Sequence, residues 1–171
     1  MSFASTGNRP QFKQYEFVKL AEIVDWINIM SYDQHVPNHS EWNAVTGLNS
    51  SLYSNPNEPE PEEVVKHFNV AFICQEMIRL GVPKAKLNAG FPFYGKGYSD
   101  VPSINNGLFQ EYKGISNQGT WTPGIFDYWD LKAHFVNKNG FVKYWDEYAQ
   151  VPWLYSKDTA TFITYDDEKS I

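Results

Sequence analysis

The run INIMSYDQH, residues 27–35, passes within nine residues from apolar to chemically active side chains. Ile27, Ile29 and Met30 read as interior positions. Tyr32, Asp33, Gln34 and His35 carry a phenol, a carboxylate, an amide and an imidazole, groups that want water or a ligand. A phenol beside a carboxylate at a strand end can orient a polar ligand; the same pair can equally cap a turn, which is the commoner arrangement. Phe93 and Tyr94 stand near the end of a second apolar run, KLNAGFPFYG (86–95), with Lys96 just beyond it. His35 and His39 share a polar loop, while His67 and His134 stand alone in helix-like stretches. No cysteine or further histidine completes a ligand set around them, so no metal and no cofactor is expected. The one cysteine, Cys74, lies in a helical pattern and reads as a small buried hydrophobe.

These groups need strands and helices to hold them. YEFVKLAEI (15–23) places Phe17, Val18, Leu20 and Ile23 as a short amphipathic helix does. VDWINIM (24–30) is a short apolar run rich in β-favouring residues, and predicts a strand buried on both faces of a parallel sheet. A polar loop over 34–61 carries Asn43, Asn49, Asn55 and Asn57, followed by Pro56, Pro59 and Pro61. A loop this long inside a domain is usually functional or flexible. Pro61, Glu62 and Glu63 suit a helix first turn, with Val65, Phe68, Phe72, Met77 and Leu80 at helical spacing. LGVP (80–83) supplies the stop: a glycine, then a proline. Residues 15–95 thus alternate helix and strand, the pattern of βαβ units around a parallel sheet.

After Gly97 the texture changes. Residues 97–125 are rich in Gly, Asn, Ser and Pro; IFDYWDLKAHFV (125–136) is helix-like. GFVKYWDEYAQVPWLYS and TATFITYDD then alternate as half-exposed antiparallel strands do. The expected organisation is an α/β part over 1–96, an α+β insertion over 97–167, and a return to the first part at 168–171.

The bulk composition narrows the function classes. The chain has 171 residues, 42% hydrophobic and 20% charged, a globular balance able to bury a sizeable core. The net charge is −6 and no Lys/Arg run exists, so the footprint of a nucleic-acid binder is absent. No stretch approaches the roughly 18 apolar residues of a membrane span. MSFASTGNRPQ has neither the charged nor the apolar region of a secretory signal. Aromatic residues reach 17%, more than a core of this size usually needs, so some rings are expected to face solvent or ligand. A parallel sheet of two or three strands with one apolar helix cannot cover both its faces, and YDDEKSI stops where a helix-starting stretch begins. The sequence is therefore expected to be part of a larger domain.

Five segments in order carry a resemblance. INIMSYD, followed by Trp42 and TGLNSSLY (46–53), is similar to the sixth-strand region of the family 18 glycoside hydrolases, the chitinases. GVPKAKLNAGFPFYGKGY (81–98) resembles their seventh strand, and GTWTPGIFDYWDL, VPWLYS and FITYDDEKSI resemble their inserted domain and its return. The resemblance implies the C-terminal portion of a (β/α)8 TIM barrel, about strands 5–7, with an inserted α+β domain and the N-terminal half of the barrel absent. In such barrels the site gathers at the C-terminal strand ends, which favours the ligand role for Tyr32 and Asp33.

The implied chemistry is retaining hydrolysis of β-1,4 bonds between N-acetylglucosamine units, with the substrate's own acetamido oxygen attacking the anomeric carbon. Tyr32 then hydrogen-bonds the acetamido group, Asp33 contacts the neighbouring sugar, and Met30 lines the pocket floor. Trp42, Phe93, Tyr94 and Lys96 are further substrate-binding candidates, Lys96 standing where the family commonly has arginine. Trp121, Trp129, Trp145 and Trp153 fall in the insertion, where most tryptophans pack; Trp121, in a Gly/Pro-rich segment, is the candidate for stacking on sugar. The family's acid closes an Asp-x-x-Asp-x-Asp-x-Glu motif, and none of the 171 residues form one. The implied partner is chitin or a chitooligosaccharide, and the implied setting of the parent protein is extracellular. A non-catalytic, lectin-like relative and an inactive truncated product remain the alternatives.

Overall fold

The computed structural model describes residues 1–7, 12, 14–38, 43–59 and 67–171. Its first sheet is parallel and three-stranded, in the order β1 (Ser2–Thr6), β2 (Trp26–Met30), β3 (Leu87–Ala89). Phe3, Ile27 and Leu87 lie in register, as do Ala4, Asn28 and Asn88. Helix α1 (Phe17–Ile23) leads from β1 to β2, and α2 (Val70–Arg79) leads from β2 towards β3. Both pack on one face, where Phe17, Ala21, Ile73 and Met77 bury Ile27 and Ile29.

That one-sided cover corrects the expectation for β2. Ile27 and Ile29 are fully buried, but Trp26 and Met30 are exposed at 51% and 41%, and Asn28 is exposed too. Nothing among the described residues covers this second face, so the strand alternates as a half-buried one does. In α1 only Phe17 and Ala21 are buried; Val18 and Ile23 point to solvent. The expected helix start at Pro61–Glu63, with Val65, lies outside the described residues. Within them, Asn69 caps α2 by accepting the Phe72 N–H at 2.9 Å. Gly81, at φ +102°, ends the helix, with Val82 N–H returning to Met77 O.

The second sheet is antiparallel: β5 (Gly114–Ile115), β4 (Tyr94–Ser99), β9 (Thr161–Thr164), β8 (Val151–Ser156), β7 (Val142–Asp146), with β6 (Ile125–Asp127) also on β4. Tyr94–Lys96 thus pair with the antiparallel strands and not with the parallel ones. β8 and β9 were expected half-exposed; every residue of both is buried. The reason is that this sheet has a core on each face. Tyr98, Val151, Trp153, Tyr155 and Phe162 form one, with Leu48 and Leu108; Phe126, Leu131, Leu154, Ile163 and Tyr165 form the other. The helix-like 125–136 splits into β6, a short helix α3 (Tyr128–Asp130) and a π-turn over Leu131–Phe135.

The polar loop after β2 joins the two sheets. Thr46 Oγ1 donates to Gly107 O and accepts the Gln110 N–H; Asn49 N–H reaches Thr164 Oγ1 at 2.7 Å; Asn55 Nδ2 reaches the buried Asp146 at 2.5 Å. Thr46, Asn49, Ser50, Ser51 and Asn55 are all buried. This part of the loop is ordered by its own polar groups, as buried backbone requires.

Candidate functional site at the ends of strands β2 and β4

Beyond Met30 the chain leaves the ladder, and Asp33 takes a left-handed backbone at φ +62°. A non-glycine residue holds that conformation only where its surroundings fix it. Asn49 does so: its Oδ1 accepts the Asp33 N–H at 3.2 Å and its carbonyl accepts the Gln34 N–H at 3.1 Å. Gln34, itself buried, closes the turn from inside. Its amide reaches Ser31 O and Ser51 O, and its oxygen accepts the Ser51 N–H at 2.8 Å. Gly90 lets the next strand come close, since a Cβ there would sit 2.5 Å from Ile29 O and 3.1 Å from the Tyr32 ring.

The turn aims Asp33 at β4. Asp33 Oδ1 accepts the Tyr94 hydroxyl and the Lys96 ammonium, each at 2.5 Å. Lys96 is 6% exposed and Asp33 about half exposed, so the ion pair has one end in the protein and one at the surface. Burial holds Lys96 below the usual lysine range, although Asp33 opposes this. Burial also raises the Tyr94 phenol, helped by the Asp33 carboxylate and by the charges of Tyr32 and Asp166, so Tyr94 serves as a donor. Tyr32 meets Tyr94 edge to face at 6.3 Å. Its hydroxyl has no hydrogen-bond partner among the described residues. Four groups thus converge from two sheets: a fixed carboxylate, its cation, a donor phenol and a second phenol.

The remaining candidates fall in different places. Met30 is exposed on the uncovered face of the parallel sheet. Trp42 lies outside the described residues. Phe93 is 71% exposed and lines a cavity of about 210 Å³ with Tyr128, Asp166, Asp167, Glu168 and Ile171. Trp121 is 81% exposed, whereas Trp153 is buried and stacked on Tyr144. Lys96 directs its ammonium at Asp33 Oδ1. His35 is buried against Glu58 at 2.5 Å, and no trio of metal-binding side chains exists among the described residues.

Sequence reasoning missed the positioning role of Asn49, and it read Gln34 as a group wanting water or a ligand, whereas Gln34 is buried and bonds only within the turn. It also passed over Asp166. This carboxyl is buried beside Phe93 and Tyr94, with Oδ2 unpaired, and burial together with Asp167 pushes it up to about 7 against a hydrogen bond from Ser170.

Comparison with known proteins gives the family. The sequence model for glycosyl hydrolases of family 18 matches residues 1–171. Chitinase A1 of Niallia circulans is 39% identical over 174 residues, covering 100% of this chain and 24% of that protein. The oviduct-specific glycoprotein of Sus scrofa is 31% identical over 160 residues, covering 92% of this chain and 27% of that protein. Among solved structures, chitinase ChiA74 from Bacillus thuringiensis superposes with a TM-score of 0.88 at 40% identity, covering 99% of this chain and 28% of that one. The chain therefore spans about a quarter of the length of these relatives.

Proposed function

The chain belongs to glycosyl hydrolase family 18, and we propose that it supplies the substrate-orienting wall of a chitin-binding cleft in a chitinase-type protein. On this reading β1, β2 and β3 are neighbouring strands of a (β/α)8 barrel, about the fifth to seventh, and the antiparallel sheet is inserted after β3. Asp33, Tyr32 and Tyr94 then face the substrate at the strand ends. The carrying observation is the convergence of Tyr94 and Lys96 on Asp33, which is itself held in a strained turn by Asn49. Such an arrangement fixes a carboxylate and two phenols before any ligand arrives, and preorganised polar groups are what sugar hydroxyls and acetamido groups bind.

In a substrate-assisted reaction these residues have one task each. Tyr32 donates to the acetamido oxygen that attacks the anomeric carbon. Asp33 accepts from neighbouring sugar hydroxyls, and Lys96 and Tyr94 hold its carboxylate in place. Proton donation to the leaving oxygen requires an acid outside these residues, since the motif that carries it in the family is absent from the 171. A second, lectin-like reading draws support from a relative named as a glycoprotein and not as a chitinase.

Calorimetric titration with chitotetraose tests the site. Asp33→Ala is expected to weaken binding at least tenfold, about 1.4 kcal/mol. It should also destabilise the fold by about 1–3 kcal/mol, because Lys96 loses its partner. Lys96→Met in the same chain should recover stability but not binding. Unchanged affinity in Asp33→Ala would refute the assignment, and chitin turnover by the 171 residues alone would overturn the placement of the acid outside them.

A further inference from the structure

Three carboxylates follow one another after β9: Asp166, Asp167 and Glu168. The insertion supplies cations to two of them. Lys143 pairs with Asp167, and Lys132 pairs with Glu168, which also accepts the Tyr128 hydroxyl. The neighbouring Lys169 places its ammonium over the Trp145 ring, 3.5 Å from its centre. Asp166 is left without an ion pair among the described residues, although it is only 3% exposed. Its Oδ1 accepts the Ser170 hydroxyl at 2.9 Å, and its buried Oδ2 bonds nothing. A buried carboxyl in that position is costly to ionise without a cation beside it.

Asp166 lines the cavity of about 210 Å³, whose other walls are the Phe93 and Tyr128 rings, Ile171 and the two paired acids. The walls are set in advance. Tyr128 stacks at 6.4 Å on the buried Tyr165 and has its hydroxyl fixed on Glu168, and its N–H donates to Phe93 O at 2.9 Å. Phe93, 71% exposed, leaves its ring open. Aromatic faces and carboxylates attract the same kind of ligand, a cation, the rings through their quadrupole and the acids through their charge. The apolar walls suit carbon and not a bare ion, and no trio of metal-binding side chains exists among the described residues. Asp166 Oδ2 needs a hydrogen-bond donor, which a primary ammonium has and a quaternary one lacks.

We infer that this cavity binds a small organic molecule carrying a primary ammonium, which donates to Asp166 Oδ2 while its apolar stem lies against Phe93 and Tyr128. The ligand supplies the one cation that the three acids lack. The inference goes beyond the chitin-binding wall and does not rest on it. It also carries a pH dependence. Burial, together with the Asp167 charge, pushes Asp166 up to about 7 against the Ser170 hydrogen bond. Its titratable neighbours are Asp167 and Glu168 on its own segment, Tyr165 before it, Tyr94 of β4 and Tyr128 of α3, with Lys132 and Lys143 on the acids. The three phenols are raised, first by burial, and keep their protons. Asp166 must ionise to hold the ammonium. Affinity therefore rises about tenfold per pH unit below pH 7 and levels off above it, while an alkylammonium stays charged to roughly pH 10.

Nuclear magnetic resonance titration of the isotopically labelled chain tests this, with n-butylammonium as probe and n-butanol, tetramethylammonium and calcium as comparisons at matched ionic strength. At pH 8 butylammonium should give saturable shifts centred on Phe93, Tyr128 and Asp166, with butanol and tetramethylammonium each about tenfold weaker. Affinity at pH 6 should be about tenfold below that at pH 8. Asp166→Asn keeps the volume and the acceptor for Ser170; it should lose about tenfold at pH 8 and show no dependence on pH. Phe93→Ala should weaken butylammonium severalfold and leave its pH dependence in place. Displacement of the probe by glucosamine assigns the ammonium to an amino sugar and displacement by lysine amide to an amino acid; either supports the site. Absence of a saturable shift overturns the proposal, as does butanol binding equally well, which would leave only an apolar crevice. Calcium binding more tightly than butylammonium would make this a metal site and overturn it too. An affinity independent of pH in wild type would remove Asp166 as the anchor. No chitin fragment enters the experiment, so its failure leaves the Asp33 site to be judged separately.

Discussion

At the scale of single residues, the chain spends strain and burial around one carboxylate. Asp33 is held left-handed by Asn49, paired to a buried lysine and met by a phenol. Asp166, close by, presents the opposite case: a buried carboxyl with one oxygen unpaired and a pKa near 7. Its folded value lies above the roughly 3.9 of an unfolded aspartate, so below pH 4 both states hold the proton and Asp166 costs nothing. Between pH 4 and 7 the unfolded chain releases the proton while the folded one keeps it. Each pH unit of that interval removes about 1.4 kcal/mol from stability. Urea midpoints should therefore fall from pH 4 to pH 7 through this group and level off above it, and Asp166→Asn should flatten that fall. A midpoint profile identical in wild type and Asp166→Asn would show that Asp166 ionises normally.

At the scale of elements, the site depends on how closely two strands approach. Gly90 follows β3, its N–H donates to Ile29 O at 2.9 Å, and its carbonyl accepts the Ser31 hydroxyl at 2.9 Å. A Cβ at this position would meet Ile29 O at 2.5 Å, a contact that backbone movement alone can relieve. Gly90→Ala is expected to cost about 1–3 kcal/mol of stability. It should also weaken chitooligosaccharide binding severalfold with every site side chain still present, because the Tyr32 ring lies 3.1 Å from the same Cβ. Titration calorimetry of a variant that still melts cooperatively measures this; unchanged affinity would show that the approach of β3 does not set the position of Tyr32. The corrected elements share one cause. Alternation in sequence reports which residues are apolar, and burial depends on what lies opposite. β8 and β9 are covered on both faces, and β2 on one among the described residues.

At the scale of the whole molecule, a buried polar loop couples a parallel sheet to an antiparallel one. Thr46 bonds both Gly107 and Gln110, and Asn49 bonds both the Asp33 turn and Thr164 of β9. Thr46→Val keeps the volume and removes both hydrogen bonds, leaving the buried Gly107 carbonyl without that donor. The expected cost is about 1–3 kcal/mol. Amide exchange should quicken at Thr46 and Gln110 in the variant while β1 and β2 keep their protection. Quickening spread evenly over both sheets would mean that they unfold as one unit, with the loop no weaker than its neighbours.

The sequence by itself determined the order of motifs, the helix–strand alternation, the change of texture near Gly97 and the family. It also placed Tyr32, Asp33, Tyr94 and Lys96 at the ends of apolar runs, because strand-forming and chemical residues are separately visible in one dimension. Tertiary structure alone decided their partnership. Asp33 meets residues 61 and 63 positions away, and Asn49 acts on it from 16 positions away. It likewise turned Trp121 and Trp129 into a pair, through a carboxylate whose own sequence context, IFDYWDLKAHFV, read only as helix-like. Long-range pairing of polar groups leaves no period in a sequence. It follows from which backbone segments pack together, and here that is set by a loop of buried asparagines, serines and threonines that reads from sequence as polar and unstructured.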